Sequence, residues 1–254
     1  MQPAHSKRIQ NMRTYITASI IAVALLIGSF VLAGAYKYKY KDKKRIIVTG
    51  LAEKNFVSDL IVWNCNYNKK SMDLREAYTA LKKDENAIRQ YLTGKGLKES
   101  EMIFSSVTIN KEFEYSYTNM GQISSTIFAG YNLTQTVKIE SKNIEVVEKV
   151  SREITGLIEM GIELNSNAPE YYYSRLSELK IDLLSKASKD ARDRAGSIAE
   201  NAGSSLGELK YANMGVFQIT GQNSNENYSY GGTFNTASKN KTASITLKTE
   251  YAID

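Results

Sequence analysis

The feature that most constrains this chain is an apolar segment near its N-terminus, YITASIIAVALLIGSFVLAGAY, which occupies residues 15–36. No charged residue lies between Arg13 and Lys37. A helix needs about 20 apolar residues to cross the hydrocarbon core of a bilayer. The length therefore predicts a transmembrane signal-anchor over 15–36. A short basic arm over 1–14 precedes it, and a basic juxtamembrane linker over 37–45 follows it.

A cleaved signal peptide is the alternative interpretation of this segment. The basic leader is present, and Ala33 and Ala35 form an A-x-A pattern of the kind found at cleavage sites. However, the segment is longer than the roughly 7–15 apolar residues of a cleaved signal. Tyr15 and Tyr36 suit the headgroup level at the two ends of a spanning helix. We therefore favour an uncleaved anchor, with secretion or periplasmic release after cleavage as the alternative.

The positive charge of the chain is concentrated around the same segment. The net charge is +6, and without nine cations near the apolar segment the chain is slightly acidic. These cations are Lys7, Arg8, Arg13, Lys37, Lys39, Lys41, Lys43, Lys44 and Arg45. The distribution predicts anionic membrane lipid as a partner, and no nucleic acid.

The flanking charges disagree about orientation. The flank after the segment carries more Lys and Arg than the flank before it, which by itself would leave the large domain in the cytoplasm. The leader, however, is short, and long domains cross the membrane largely regardless of their charge. We expect a single-pass protein of the inner membrane with its large domain in the periplasm or outside the cell.

Residues 46–254 carry alternating strand and helix patterns. Strand-like runs occur at 46–51 and 57–67, and Ile61, Trp63, Cys65 and Tyr67 alternate on one face of the second run. A helix with a capping box of Asp73 and Glu76 follows, and then a long hairpin turns at TNMGQ, residues 118–122. A second helix, ended by Gly161, and a short strand complete the order β-α-β-β-α-β. The apolar stripe of this helix is Ile144, Val147, Val150, Ile154 and Ile158. The order predicts an α+β fold with helices on one face of a mainly antiparallel sheet.

A long helix over 174–202 and two strands over 209–220 and 242–253 end the domain. Apolar residues step along this helix by three or four positions: Leu176, Leu179, Leu183, Ala187, Ala191, Ala195, Ile198 and Ala202. The charges of DARDR, residues 190–194, fall mostly off this stripe and can pair at i,i+4. We expect Gly203 to stop the helix and Gly207 to turn the chain into the next strand.

Several stretches of this domain resemble the SIMPL-domain family in the expected order. The helix contains the D-A-x-x-R-A core at 190–195, followed by a glycine and by L-G at 206–207. VTGLAEKNFVSDLIVW, FAGYNLTQTVKIE and YANMGVFQITGQNS resemble strands of that family, and the second includes its Gly130–Tyr131 pair. The resemblance implies an exported bacterial domain, with links to envelope stress and oligomeric assembly but with no agreed enzymatic activity.

The residues argue against an enzyme. The only histidine is His5 in the N-terminal arm, so Cys65 has no histidine partner within the domain. Convergence of Asp59, Glu112 and Glu114 is the remaining route to chemistry, but such carboxylates more often lie on solvated strand faces. We predict no catalytic residue, no cofactor and no metal site.

A binding or scaffold module of the cell envelope is therefore the favoured function, with another envelope protein as a candidate partner. The polar segment 221–240 is too poor in apolar residues to order itself by its own core, and Tyr228, Tyr230 and Phe234 are its candidate contact residues. A tolerated surface insertion is the alternative for this loop. A structural homo-oligomer at the membrane surface, such as a ring, is the alternative function.

Overall fold

The computed structural model describes residues 4–41 and 44–253, and it describes side chains over 14–39 and 44–253. Helix α1, Ala4–Lys41, comes first. The rest of the fold is α+β, as predicted, and falls into two compact units. The first takes the chain up to Leu51, Ala187–Met214 and the residues from Leu247 on; the second takes Ala52–Lys186 and Gly215–Thr246.

Thirteen further helices and strands are described beyond α1, apart from two short 3-10 helices. In chain order they are β1 Arg45–Val57, β2 Leu60–Ser71, α2 Leu74–Gly94, β3 Met102–Phe104, β4 Thr108–Tyr117, β5 Ile123–Ser141, α3 Ile144–Glu153, β6 Leu164–Ser166, β7 Glu170–Tyr172, α4 Leu176–Asn201, β8 Leu206–Met214, β9 Gln218–Gly221 and β10 Asn240–Ile253. The 3-10 helices are Glu99–Glu101 and Ile154–Met160.

The second unit is built on an antiparallel sheet with the strand order β3-β5-β2-β6, in which β4 also pairs with β5 and β7 with β2. Helices α2 and α3 both pack on β2 and β5. The predicted face of β2 is confirmed, because Ile61, Trp63, Cys65 and Tyr67 are all buried. The Trp63 indole N–H donates to Ser166 Oγ at 3.0 Å and the Tyr67 hydroxyl to Gln135 Oε1 at 2.7 Å, so the polar atoms of both buried aromatic side chains are bonded.

The start of α2 matches its predicted cap only in part. The Asp73 side chain accepts bonds from the backbone N–H groups of Arg75 and Glu76, as expected of an N-cap. The Glu76 carboxylate, however, accepts from Ser71 Oγ at 3.0 Å, and the Asp73 N–H donates to the same hydroxyl at 3.1 Å. A serine on β2 therefore replaces the reciprocal bond of the predicted capping box.

The apolar stripe predicted for the second helix fails at its end. Ile154 is buried but Ile158, which continues an α-helical stripe, is exposed, and Leu157 is buried instead. The reason is that the chain changes to a 3-10 helix at Ile154, so three residues, rather than nearly four, complete a turn. Gly161 then ends the segment with φ 75°.

The long helix α4 also differs from prediction at its C-terminal end. The buried residues continue by strict steps of four through Ala191 and Ala195 to Ala199, whereas the predicted Ile198 and Ala202 are exposed. The buried row follows an i+4 ridge, which winds slowly around the helix, so the stripe moves away from Ile198. Gly203 adopts φ 73° and ends the helix, as expected.

The last strands belong to a second sheet, with the order β1-β10-β8 and β9 also paired to β10. The predicted strand 209–220 is split into β8 and β9 by residues 215–217. Gly207 lies inside β8 rather than in a turn, where an added Cβ would meet the Ala252 Cβ at 3.1 Å. The close approach of β8 to β10 at this position explains why it is a glycine.

Candidate functional site

Helix α1 exposes the largest apolar surface among the described residues. Its segment Thr14–Lys39 is 26 residues long, has a mean hydropathy of 2.5 in its most apolar window, and is long and apolar enough to cross a membrane. At 1.5 Å per residue it measures about 39 Å, against about 30 Å for a bilayer core. None of that window is buried by the described chain. Such a surface requires a cover that the described domain does not supply.

The polar side chains within this helix are bonded to its own backbone. Thr17 Oγ1 donates to the Thr14 carbonyl at 3.0 Å, Ser19 Oγ to the Tyr15 carbonyl at 2.9 Å, and Ser29 Oγ to the Leu25 carbonyl at 2.8 Å. A hydroxyl that donates to the preceding turn needs no water. These hydroxyls therefore need no further hydrogen-bond partner when the helix lies in hydrocarbon.

The ends of the helix carry exposed aromatic and basic residues. Tyr15, Tyr36 and Tyr38 are all exposed, as suits a headgroup-level position. The first part of the predicted basic linker over 37–45 is helical, because α1 continues through Lys41. Residues 42–43 of that linker lie outside the described part.

The DARDR segment of α4, residues 190–194, contributes a hydrogen bond between that helix and strand β1. The predicted i,i+4 pair is present, with Arg194 Nε 2.8 Å from Asp190 Oδ2. The same oxygen accepts the Leu51 backbone N–H at 2.8 Å, so Asp190 faces the strand rather than only water. The hydrogen bond from Leu51 has the largest effect and the one from Arg194 the second largest, and together they hold the pKa of Asp190 below its ordinary value. Asp190, paired with Arg194, therefore joins the helix to the strand.

Close packing at the same junction depends on small residues. A Cβ added at Gly50 would lie 2.2 Å from the Ala187 carbonyl oxygen and 2.6 Å from the Ala191 nitrogen. The β1 backbone therefore touches the α4 backbone directly. The D-A-x-x-R-A core thus supplies both the carboxylate and the small side chain that this contact requires.

The three carboxylates proposed for chemistry have separate partners. Asp59 accepts bonds from the Ser174 N–H and hydroxyl, both at 2.7 Å. Glu112 pairs with Lys70 Nζ at 2.6 Å and accepts from Asn132 at 2.9 Å. Glu114 lies opposite Ile127 on the exposed β4–β5 hairpin. The contacts give Asp59 a structural role just before α4 and do not join it to either glutamate.

A buried ionic cluster between α2 and β2 was not predicted from the sequence. Asp84 and Glu85 are buried: Lys69 Nζ lies 3.0 Å from Asp84, and Glu85 binds Lys82 at 2.6 Å and Arg89 at 3.2 Å. Asp84 and Glu85 follow Leu81 by three and four residues and precede Ile88 by four and three, so their positions already placed them on the buried face of the helix. Each carboxylate has a cation within 3.2 Å, which accounts for the cluster as a structural one, although Asp84 Oδ2 accepts no hydrogen bond from the described residues.

The single cysteine of the domain is a core residue. Cys65 is fully buried among the β2 aromatics. Burial raises the pKa of its thiol to about 12, so the reactive thiolate is scarce at neutral pH. This agrees with the structural role predicted for Cys65.

The polar loop 221–240 contains a hydrogen-bond network that its composition did not predict. The Gln218 side chain accepts from the Ser229 and Thr233 N–H groups at 3.3 and 2.8 Å, and donates to the Ser229 carbonyl. Lys241 is almost fully buried and donates to the carbonyls of Tyr171 and Asn235. Side chains of β9 and β10 therefore order a loop that lacks an apolar core of its own.

The three candidate contact residues of this loop are exposed but have different surroundings. Tyr230 is fully exposed, at 105%. The Tyr228 hydroxyl accepts from Ser244 Oγ at 3.2 Å, and the Phe234 ring lies 6.4 Å from the Tyr172 ring. The structure leaves all three accessible, and their role as contacts stays a prediction.

Comparison with known proteins supports the family that the sequence resembles. The model of the SIMPL family, described as a protein of unknown function (DUF541), matches residues 46–250. No curated protein matches the chain significantly. The match includes the β1 strand and the D-A-x-x-R-A helix, which the close packing of Gly50 and the Asp190–Leu51 hydrogen bond hold together. The chain therefore belongs to the SIMPL family.

Proposed function

We propose that this protein is a membrane-anchored, extracytoplasmic binding or scaffold module of the cell envelope without enzymatic activity. The observation that carries the proposal is helix α1, whose apolar window is long enough to span a bilayer and has no cover within the described chain. The backbone-bonded hydroxyls and the terminal tyrosines support lipid as that cover. The helix continues through Ala33 and Ala35, where a signal peptidase would have to cut.

The proposed location is the inner membrane, with one spanning helix and the large domain in the periplasm or outside the cell. The exported character of the family, together with the short N-terminal arm, supports this side of the membrane. The same family resemblance suggests a link to envelope stress. The basic flank after α1 argues for the opposite orientation, so orientation has its own test. Protease added to intact spheroplasts should digest the domain but leave a cytoplasmic control protein intact, whereas survival of the domain would place it in the cytoplasm.

The non-enzymatic part of the proposal rests on what the reactive groups do. Asp59 holds the start of α4, Glu112 is paired with Lys70, and Cys65 is buried with a raised pKa. Each of these groups already has a structural task. A surface that binds another envelope protein needs none of them.

The proposed contact surface is the loop 221–240, with Tyr228, Tyr230 and Phe234 as its aromatic anchors. Cross-linking in intact membranes, followed by purification of the full chain, should recover a partner from the native protein. Replacing residues 222–239 by a tight Asn-Gly turn should abolish that recovery. If stability, oligomeric state and recovery all stay unchanged, the loop is only a tolerated insertion.

A structural homo-oligomer is the second candidate function. Strand β8 ends the order β1-β10-β8 and exposes Leu209, Tyr211 and Met214. An edge strand with apolar side chains is a ready surface for another copy. Mass photometry of the detergent-purified full chain should show a closed multimer if this function is correct, and a monomer if it is not.

A further inference from the structure

The outer part of the β4–β5 hairpin, residues 115–128, exposes an unusual amount of apolar surface; it is called the arm below. Tyr117 is 63% exposed, Met120 at the tip 90% and Ile123 57%. The turn itself is well defined, since the Thr118 N–H donates to the Gln122 carbonyl at 2.8 Å and Gly121 has φ 76°. The arm is thus a two-stranded ribbon, with a register shift between Ser116 and Tyr117, that carries its apolar residues into solvent.

The apolar residues occupy both faces of the arm. Tyr115 pairs with Thr126, and Ile127 is the next residue of β5 after Thr126. Since successive side chains of a strand point to opposite faces, Tyr115 and Ile127 lie on opposite sides of the ribbon. Both are exposed. A protein docked on one face would leave the other face in water, whereas lipid can surround the ribbon and cover both faces.

The arm also lacks charge. No Asp, Glu, Lys or Arg occurs between Glu114 and Lys138, although these residues make up 24% of the sequence. In their place stand Tyr, Ile, Phe and Met together with Ser, Thr, Asn and Gln. Aromatic side chains with small polar neighbours suit the boundary between lipid tails and water.

The backbone of the arm sets the depth at which it can lie. Over the described residues 44–253, β4 pairs with β5 and has no strand on its other side. The outward N–H and C=O groups of β4 need hydrogen-bond partners, which hydrocarbon cannot provide. Lipid headgroups and interfacial water can provide them, so a shallow position suits the arm.

We propose that the arm rests in the headgroup region of the bilayer in which helix α1 is anchored, as a second contact between this protein and lipid. The inference rests on the proposed membrane anchor, which keeps a bilayer within reach of every molecule. The occupant is lipid rather than a second copy because the apolar residues lie on both faces and carry no charges that could define a docking register.

The test uses the full chain with Met120→Cys, labelled with an environment-sensitive fluorophore and reconstituted into phosphatidylcholine–phosphatidylglycerol nanodiscs. Cys65 is buried and should not react, so the label reports the tip of the arm. The matched control is Met160→Cys, since Met160 is an exposed methionine of the same compact unit. Incorporation into the nanodiscs is measured first, and then quenching by lipids that carry a spin label close to the headgroup.

We expect the label at position 120 to shift to shorter wavelength and to lose most of its fluorescence, while the label at 160 changes little. Equal and weak quenching at both positions in incorporated protein would overturn the arm contact and leave the anchor standing. Energy transfer between differently labelled copies, without lipid quenching, would replace lipid by a second copy and also overturn it. Failure of the chain to enter nanodiscs would overturn the anchor and the arm contact together.

Discussion

At the scale of single residues, the contact between β1 and α4 depends on the absence of one side chain. Gly50 lies so close to the α4 backbone that any Cβ would overlap Ala187 and Ala191. Beside it, Asp190 satisfies the Leu51 N–H and pairs with Arg194. The glycine sets the distance, and the carboxylate makes the hydrogen bond that this distance allows.

We predict that Gly50→Ala lowers the free energy of unfolding by about 1–3 kcal/mol, the usual range for inserting carbon into a packed contact. The matched control is Gly94→Ala, because an added Cβ there has no neighbour within 4 Å. Thermal unfolding of the detergent-solubilised full chain, followed by circular dichroism, compares the two. Equal melting temperatures for the two variants would refute the close contact.

A second residue-scale prediction concerns acid stability. Partial burial of Asp59 raises its pKa, but the bonds from Ser174 outweigh it, so the pKa lies below the ordinary 3.8. A carboxyl with a lowered folded pKa contributes stability that is present above the unfolded value and lost as pH falls through the folded one. Asp59→Asn should therefore lose stability at pH 6 and show a shallower decline than the native chain below about pH 4.

The measurement is the melting temperature of each variant between pH 6 and pH 3. Asp193→Asn, which removes the same charge from an exposed position on α4, serves as the control and should follow the native curve. The prediction fails if Asp59→Asn has the same acid slope as the native protein.

At the scale of elements, the loop 221–240 shows where local sequence information ends. Its composition indicates a segment without a core, which is correct, but side chains of β9 and β10 help to order it, together with Glu226 inside the loop, which accepts from the Gly221 N–H at 2.8 Å. Gln218 bonds three groups of the loop, and Lys241 holds two carbonyls. These long-range polar bonds have no periodic signature in the sequence.

We predict that Gln218→Ala loosens this loop, because three backbone groups lose their partner, at a cost of about 1–3 kcal/mol. Hydrogen exchange should accelerate at Ser229 and Thr233 but not in the core strand β2. Gln122→Ala, in the exposed turn of the other hairpin, is the control. Unchanged exchange at Ser229 and Thr233 would show that Gln218 does not order the loop.

Other elements could be predicted because their patterns are local. The alternation of Ile61, Trp63 and Cys65 correctly assigned the buried face of β2, and Gly203 correctly marked the end of α4. Prediction failed where geometry changed within an element. The 3-10 helix moved burial from Ile158 to Leu157, and the i+4 ridge of α4 moved it from Ile198 to Ala199.

At the scale of the whole molecule, an apolar helix without a cover precedes a SIMPL domain whose conspicuous charges are already used in structural pairs. The surfaces left for function are the N-terminal helix, the loop 221–240 and the β4–β5 arm. All three are exposed, and we propose them as contact surfaces, two of them for lipid. This distribution favours a protein that is held at a membrane and presents a folded surface there.

The central claim is that α1 stays on the mature protein as its anchor. Intact-mass spectrometry of the protein purified from alkali-washed native membranes tests this most directly. The account predicts a species of the full 28.4 kDa that remains in the membrane pellet. A shorter species that begins at Tyr36 and is released from the membrane would show that the helix is a cleaved signal, and would contradict the anchor.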